Sequence, residues 1–360
     1  MGNFYPLSFL FLYLMSFFGK RILVLLATIL AQASFAVDVV APAGQSRPTS
    51  TDDFMPHSVL TDDFNETWSY QFVFDNGTRA FVNYTLMVVP GSGRKIGCDM
   101  TFWNFKGKTY TIGRQYPPER LKKDKANSTI DIKGEYMMQN KPGKGHRVLF
   151  SADKNGKYLL DVTFDSAEPG MVNGDGVWKI GKERFGQYIH IPYGRFSGKI
   201  AYNEDTLEVK GYAYMDQTWQ TVQAIKIVGR TINFNPTAAS PLYAGRINIT
   251  PDGKTFGYAI RKNGDKVKTL TAKSVTDAGK EYKGEKFPKG DLQFSWNEDA
   301  EPFGFPATKT YQKASILDKV EGWLAKKAFK IAAGEILFYR GKSKASNGKT
   351  VDWCITGGKD

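Results

Sequence analysis

From Trp68 onward, stretch after stretch places apolar side chains at every second position, and that period decides the fold class. Trp68, Tyr70, Phe72 and Phe74 alternate with Ser69, Gln71 and Val73 ahead of the turn Asp75-Asn76-Gly77. Ala80, Val82, Tyr84, Leu86 and Val88 share one face of the next stretch, which Pro90-Gly91-Ser92-Gly93 closes. Ile96, Cys98, Met100 and Phe102 follow. Successive side chains of a strand point to opposite faces, so the pattern sets a buried face against a wet one. Ile130/Ile132/Tyr136/Met138, Val148/Phe150/Ala152 and Tyr158/Leu160/Val162/Phe164 repeat it, separated by the turns NKPGKG and DKNGK. Short strands with tight polar turns make an antiparallel meander. A meander either closes into a barrel or stacks as a sandwich, because an open edge pairs with other chains.

The pattern restarts after Asn235-Pro236-Thr237-Ala238-Ala239-Ser240-Pro241, which reads as a linker. Tyr243–Thr250, the turn PDGK, Thr255–Arg261, the turn KNGD and Val267–Ser274 form a second meander. The expectation is an all-β chain of two domains, 61–234 and 242–360. One helix is expected in the second domain, over 316–333. Ser315 and Asp318 have capping-box spacing, and Leu317, Val320, Leu324, Ala328 and Ile331 line one face ahead of Gly334. Such a helix packs on the second barrel; a peripheral contact with a membrane surface is the alternative.

Ahead of the meanders lie two apolar runs, Phe4–Phe18 and Ile22–Leu30, split by Gly19-Lys20-Arg21. The second has the form of a secretory signal with cleavage after Ala36, and a start at Met15 would give one of ordinary length. Residues 37–60 then read as an extended arm, and export to the periplasm or outside is expected. The net charge is +13, but the lysines are scattered through turns, which describes a solvated surface rather than a nucleic-acid patch. Cys98 and Cys354 either pair in an oxidising compartment or remain buried thiols. Asn65, Asn76, Asn83, Asn127 and Asn248 head N-x-[ST] sites. His57, His146 and His190 lack metal-ligand spacing, Gly194–Gly198 is not a nucleophile elbow, and Gly348-Lys349-Thr350 lacks the first glycine of a phosphate loop. No cofactor or metal is expected.

The stretch GYAYMDQTWQ, 211–220, carries the chemistry. It follows the turn Asn203–Thr206 and pairs with the strand Pro192–Tyr202. Odd positions Leu207, Val209, Gly211, Ala213 and Met215 are small or apolar; even positions are Glu208, Lys210, Tyr212, Tyr214 and Asp216. Parity therefore points Asp216 with the tyrosines, outside the barrel. From the residues alone Asp216 is either a strand-end cap on the following turn, a ligand-binding group or a proton-transfer group.

The segment IPYGRFSGKI…LEVKGYAYMDQTWQ resembles the centre of the double-lipocalin proteins. That group includes carotenoid 1,2-hydratase, the AttH-type predicted secreted hydrolases, the survival-factor lipocalins and the lipocalin-like Diels–Alderases. Gly211, Tyr214, Asp216 and Trp219 fit its strand motif; Gln217 replaces a basic residue or histidine, and Gln220 replaces glycine. The likeness spans roughly residues 61–356 and implies two lipocalin-like barrels in tandem. It further implies a ligand at the barrel junction, with Tyr212, Tyr214, Gln217 and Trp219 binding it. By the same resemblance Asp216, its pKa raised by burial, donates a proton to an alkene or polyene, and Trp219 or a tyrosine face steadies the cation. The expected function is to bind an apolar or isoprenoid-like small molecule or lipid. The alternatives are a hydratase, isomerase or cyclase acting through Asp216, and a non-catalytic envelope protein. No nucleic-acid partner is expected.

Overall fold

Each alternating stretch becomes a strand that pairs with its neighbour in the chain. The computed structural model describes residues 37–359 other than 58–62, 90–92, 142–144, 154, 240–241, 278–279, 283–284, 309, 316 and 318–334. The first sheet runs in the order Lys108–Tyr116, Gly93–Phe105, Arg79–Val89, Asn65–Phe74, Asp205–Gln220, Glu183–Tyr202, Lys157–Ala167, Gly145–Asp153, Tyr136–Lys141, Thr129–Ile132, Leu121–Asp124. Its first long strand, Asn65–Phe74, pairs antiparallel with its last, Asp205–Gln220, so the meander curls back on itself. The circle is interrupted where the 3-10 turn Pro118–Arg120 separates Lys108–Tyr116 from Leu121–Asp124.

The second sheet repeats the plan: Phe303–Pro306, Asp291–Trp296, Lys266–Asp277, Thr255–Asn263, Leu242–Ile249, Arg230–Pro236, Thr350–Lys359, Glu335–Lys344, Thr310–Ser315. Again the first strand pairs with the last, Ile232 opposite Ile355 and Phe234 opposite Trp353. The small hairpin Lys280–Tyr282/Glu285–Lys289 stands apart. The two sheets are curled antiparallel half-barrels, as the period-2 pattern and the closure argument require. Both lie within one compact unit, Val39–Asp360.

Aromatic side chains fill the first barrel. Trp68, Tyr70, Phe72, Phe74, Tyr84, Phe102, Phe105, Tyr136 and Phe150 are all buried in one cluster. Burying one such side chain contributes roughly 1.5–3 kcal/mol, so this cluster dominates the barrel's stability. Phe234, Phe294, Phe303, Phe305 and Trp353 do the same in the second.

Two expectations change. Asn235 and Pro236 are not in a linker: they end the strand Arg230–Pro236, opposite Asp352 and Val351. Arg230–Pro236 and Leu242–Ile249 pair as the first hairpin of the second sheet, and the chain crosses between sheets at Thr221–Gly229, through the short helix Ala224–Ile227. Loop composition marks a turn but does not say which elements the turn joins. The arm is also more than extended chain. Val39–Val40 pairs with Lys179–Ile180, and Arg47–Pro48 with Met171–Val172. The one-turn helix Thr51–Phe54 then starts on a capping box made by Ser50 and Asp53. Asp53 also pairs with Arg47 at 2.7 Å, and Phe54 is driven into the first core, where Trp68 Nε1 donates to its carbonyl at 3.0 Å. The apolar leader, 1–36, and almost all of the predicted helix 316–333 lie outside the described residues.

Candidate functional site between the barrels

The hairpin Glu183–Tyr202/Asp205–Gln220 belongs to the first barrel, yet its outward side chains meet the second. Val209, Ala213 and Met215 enter the first core, as parity requires. Tyr214 points the other way and packs with Ile189, Leu242, Ala244, Tyr258 and Ile260, a cluster drawn from both sheets. Tyr258 Oη accepts from the Ile189 amide at 2.9 Å and donates to the Met171 carbonyl at 2.7 Å, fixing one sheet on the other. Asp352 does the same elsewhere, accepting from Arg79 at 2.6 Å and from Tyr212 Oη at 2.7 Å.

Asp216 is fully buried at this junction. It is not at a strand end: it sits opposite Ser69 and Ile189, and the ladder continues to Gln220. Its oxygens accept from Tyr214 Oη at 3.0 Å and Asn233 Nδ2 at 2.8 Å, and Arg246 stands 3.4 Å away. These partners are side chains, two of them from the second sheet, so the reading of Asp216 as a cap on a following turn is overturned. Its partners can all donate to its oxygens. Tyr214 beside it is pushed well above the usual phenol range, first by burial and then by the Asp216 charge.

Asn233 and Arg246 hold Asp216 from one side and line a cleft of about 320 Å³ on the other. Thr67, Ser69, Gln71, Asn83, Thr218 and Gln220 form the wall from the first barrel; Thr231, Arg340, Cys354 and Thr356 extend the wall from the second. Along each strand these residues alternate with core residues, so the cleft joins the outer faces of two barrels rather than occupying either interior. Asp216 itself stands behind this wall. Cys354 is a buried free thiol on the cleft and Cys98 a free thiol in the first core, so the two do not pair.

Gln217 and Trp219 fall elsewhere. On the odd face, they close the end of the first barrel with the arm, away from Tyr214 and Asp216. Gln217 Nε2 donates to Glu66 at 2.7 Å, and its Oε1 lies 2.8 Å from His190 Nε2. Glu66 accepts the His57 amide at 3.0 Å and lies 2.7 Å from His57 Nδ1. The His57 ring stacks on Tyr188 at 5.2 Å and tilts against Trp219 at 5.4 Å. Burial raises the Glu66 carboxyl, opposed by His57 and Gln217, and burial lowers His190 to about 4. His57 and His190, widely separated in sequence, thus converge on one glutamine. His190 is aimed there by a bulge, since the ladder steps from Ile189–Asp216 directly to Ile191–Met215. Nothing in the residue spacing announces that bulge; only Glu66, a lone acid in an aromatic strand, was a signal open to the eye.

Two tandem barrels docked through outer faces define the double-lipocalin fold. No protein-family model and no curated protein matches the chain. Among solved structures, an AttH-designated protein of Nitrosomonas europaea superposes with TM-score 0.60 at 13% identity, over 89% of this chain and 99% of the other. CghA, crystallised with Sch210972, gives 0.52 at 11% identity over 91% and 99%. Kievitone hydratase of Nectria haematococca gives 0.51 at 12% identity over 91% and 99%. The likeness is one of fold.

Proposed function

We propose that this chain binds a small amphipathic molecule in the cleft between its barrels, and that it does so after export. The observation that carries the binding reading is the cleft of about 320 Å³ between outer barrel faces, beside barrels whose own interiors are filled with aromatic rings. That volume is at the lower bound of small-molecule sites, roughly 300 Å³. Amides and hydroxyls line much of the cleft, while Phe81, Phe185, Ile336 and Phe338 supply apolar wall. This favours a ligand with one polar and one greasy part over a pure hydrocarbon. CghA, a protein of this fold, was crystallised with Sch210972.

The test is direct. Nile red should bind saturably, and Thr356→Trp, which fills the cleft from a half-buried wall position, should abolish that binding while the unfolding midpoint holds. Saturable binding that survives Thr356→Trp would place the ligand elsewhere.

Acid catalysis at Asp216 is the second reading, favoured by the buried Tyr214–Asp216 contact and by the motif that it shares with the hydratases. In that reading the Asn233 and Arg246 side chains, which stand between Asp216 and the cleft, move aside so that the carboxylic acid reaches the alkene. Under that reading Asp216→Asn loses turnover of an alkene substrate by about 100-fold or more with affinity held within a few-fold, the range typical of general-acid loss. An equal loss of binding would leave Asp216 as the residue that positions Arg246.

A further inference from the structure

The cleft carries charge of one sign. Arg230, Arg246 and Arg340 line it, and among the described residues no carboxylate does. Arg246 meets Asp216 at 3.4 Å, but its Nε has no partner. Arg340 is the sharper case. It is 4% exposed, its Nε is unpartnered, and among the described residues it has no ion pair. Its guanidinium lies over the ring of Phe81 at 4.0 Å and faces Trp103 at 5.1 Å. Ring faces attract a desolvated cation. That attraction returns only part of what such an ion loses on leaving water, and the carboxylate that shares its surroundings, Asp352, is already bonded to Arg79 and Tyr212.

Register places these groups. Arg246 is opposite Asn233, Asn233 opposite Cys354, and Cys354 opposite Arg340. The four therefore form one row across adjacent strands on the outer face of the second sheet, spanning about 14 Å at the usual strand spacing. Two residues along, Thr231, Thr356 and Phe338 make the next row on that face, and Ile336 lies beyond it. Ile225 and Val228, from the segment that links the sheets, complete the apolar end. The cleft is thus cationic along the Arg246–Arg340 row, while beyond it Phe338, Ile336 and Val228 make a largely apolar wall that Arg230 borders.

We propose that the ligand is a carboxylate-bearing amphipath whose anionic head is held by Arg340, with Arg246 in the same row, and whose tail lies along Phe338, Ile336 and Val228. The proposal rests on the cleft reading above and adds the chemical class. A guanidinium presents a fork of N–H donors that a carboxylate matches in two parallel bonds, whereas an alcohol offers one oxygen and no charge.

Decanoate and decan-1-ol separate the two claims by titration calorimetry on the full chain. Decanoate should bind at least about tenfold more tightly than decan-1-ol, a difference within reach of one charge-assisted contact. Arg340→Gln should remove that preference, bringing the two affinities to within a few-fold of each other. Raising sodium chloride should weaken decanoate alone in the unmodified protein, a readout that needs no variant. Equal affinities for the two probes, both lost in Thr356→Trp, would overturn the anion proposal and keep the cleft. Binding of neither probe, or of both without regard to Thr356→Trp, would overturn the cleft reading itself.

Discussion

His190 is the extra residue of a bulge, buried, with Nε2 against Gln217 and Nδ1 lacking a partner. Burial lowers its pKa from 6.5 to about 4, against the opposing bond to Gln217 and the more distant charge of Asp53. Between those values the unfolded chain binds a proton that the folded chain refuses, so this residue's share of stability is complete above pH 6.5 and is lost as pH falls toward 4. At about 1.4 kcal/mol per pKa unit the share is on the order of 3 kcal/mol. Urea unfolding at pH 4.5 and 7 should show the slope, and His190→Gln should flatten much of it. His146, also lowered to about 4 by burial, accounts for part of the rest. Glu66 acts with the opposite sign, since burial raises it and the folded state then holds a proton that the unfolded chain releases. An unchanged slope in His190→Gln would mean that the imidazole titrates alike in the folded and unfolded chains. Gly186 is a second residue-scale case: a Cβ there would stand 2.1 Å from Trp219 Nε1. Gly186→Ala should displace that indole, shift the tryptophan fluorescence and cost about 1–3 kcal/mol in denaturant unfolding.

The strands were the legible elements, because one buried face forces a period of two and the period survives every change of residue type. The helix Thr51–Phe54 was not: four residues make barely one turn, too few to show a helical period. It matters nonetheless, since Phe54 is fully buried in the first core and its carbonyl holds Trp68. Phe54→Ala should cost about 3–5 kcal/mol, measured by chemical denaturation, as for other large core truncations. A change under about 1 kcal/mol, the range of tolerant sites, would mean that the arm covers the barrel without stabilising it. The pairing of Arg230–Pro236 with Thr350–Lys359 was equally hidden, because the two strands lie at opposite ends of the second meander. Closure could be argued from the need to cover edges, but the register could not.

At the scale of the molecule, the two barrels meet through a polar seam. Asp352 ties Arg79 and Tyr212 of the first barrel to the second, and Gln71 accepts from Asn235 at 3.0 Å. Removing one member of a buried pair leaves the other charge stranded, at about 3–5 kcal/mol. Asp352→Ala should therefore weaken docking, and calorimetry should show one unfolding transition broadening or splitting into two. A single transition merely shifted in temperature would show that the barrels remain coupled through Tyr214, Tyr258 and their apolar neighbours.

The amino-acid order alone determined an all-β chain of two meanders and the side of its strand on which Asp216 falls, because alternation along a strand is a local property. It also carried, as a likeness, the double-barrel fold. What only the tertiary structure decided is what each outward face meets. Strand parity is fixed by neighbours one residue apart, whereas Asn233 and Arg246 are brought into one row with Arg340 by the pairing of Arg230–Pro236 with Thr350–Lys359, strands far apart in the chain. The same reason separates Gln217 and Trp219 from Tyr214: one residue's shift along a strand sends a side chain to the opposite face, and a distant segment decides what waits there.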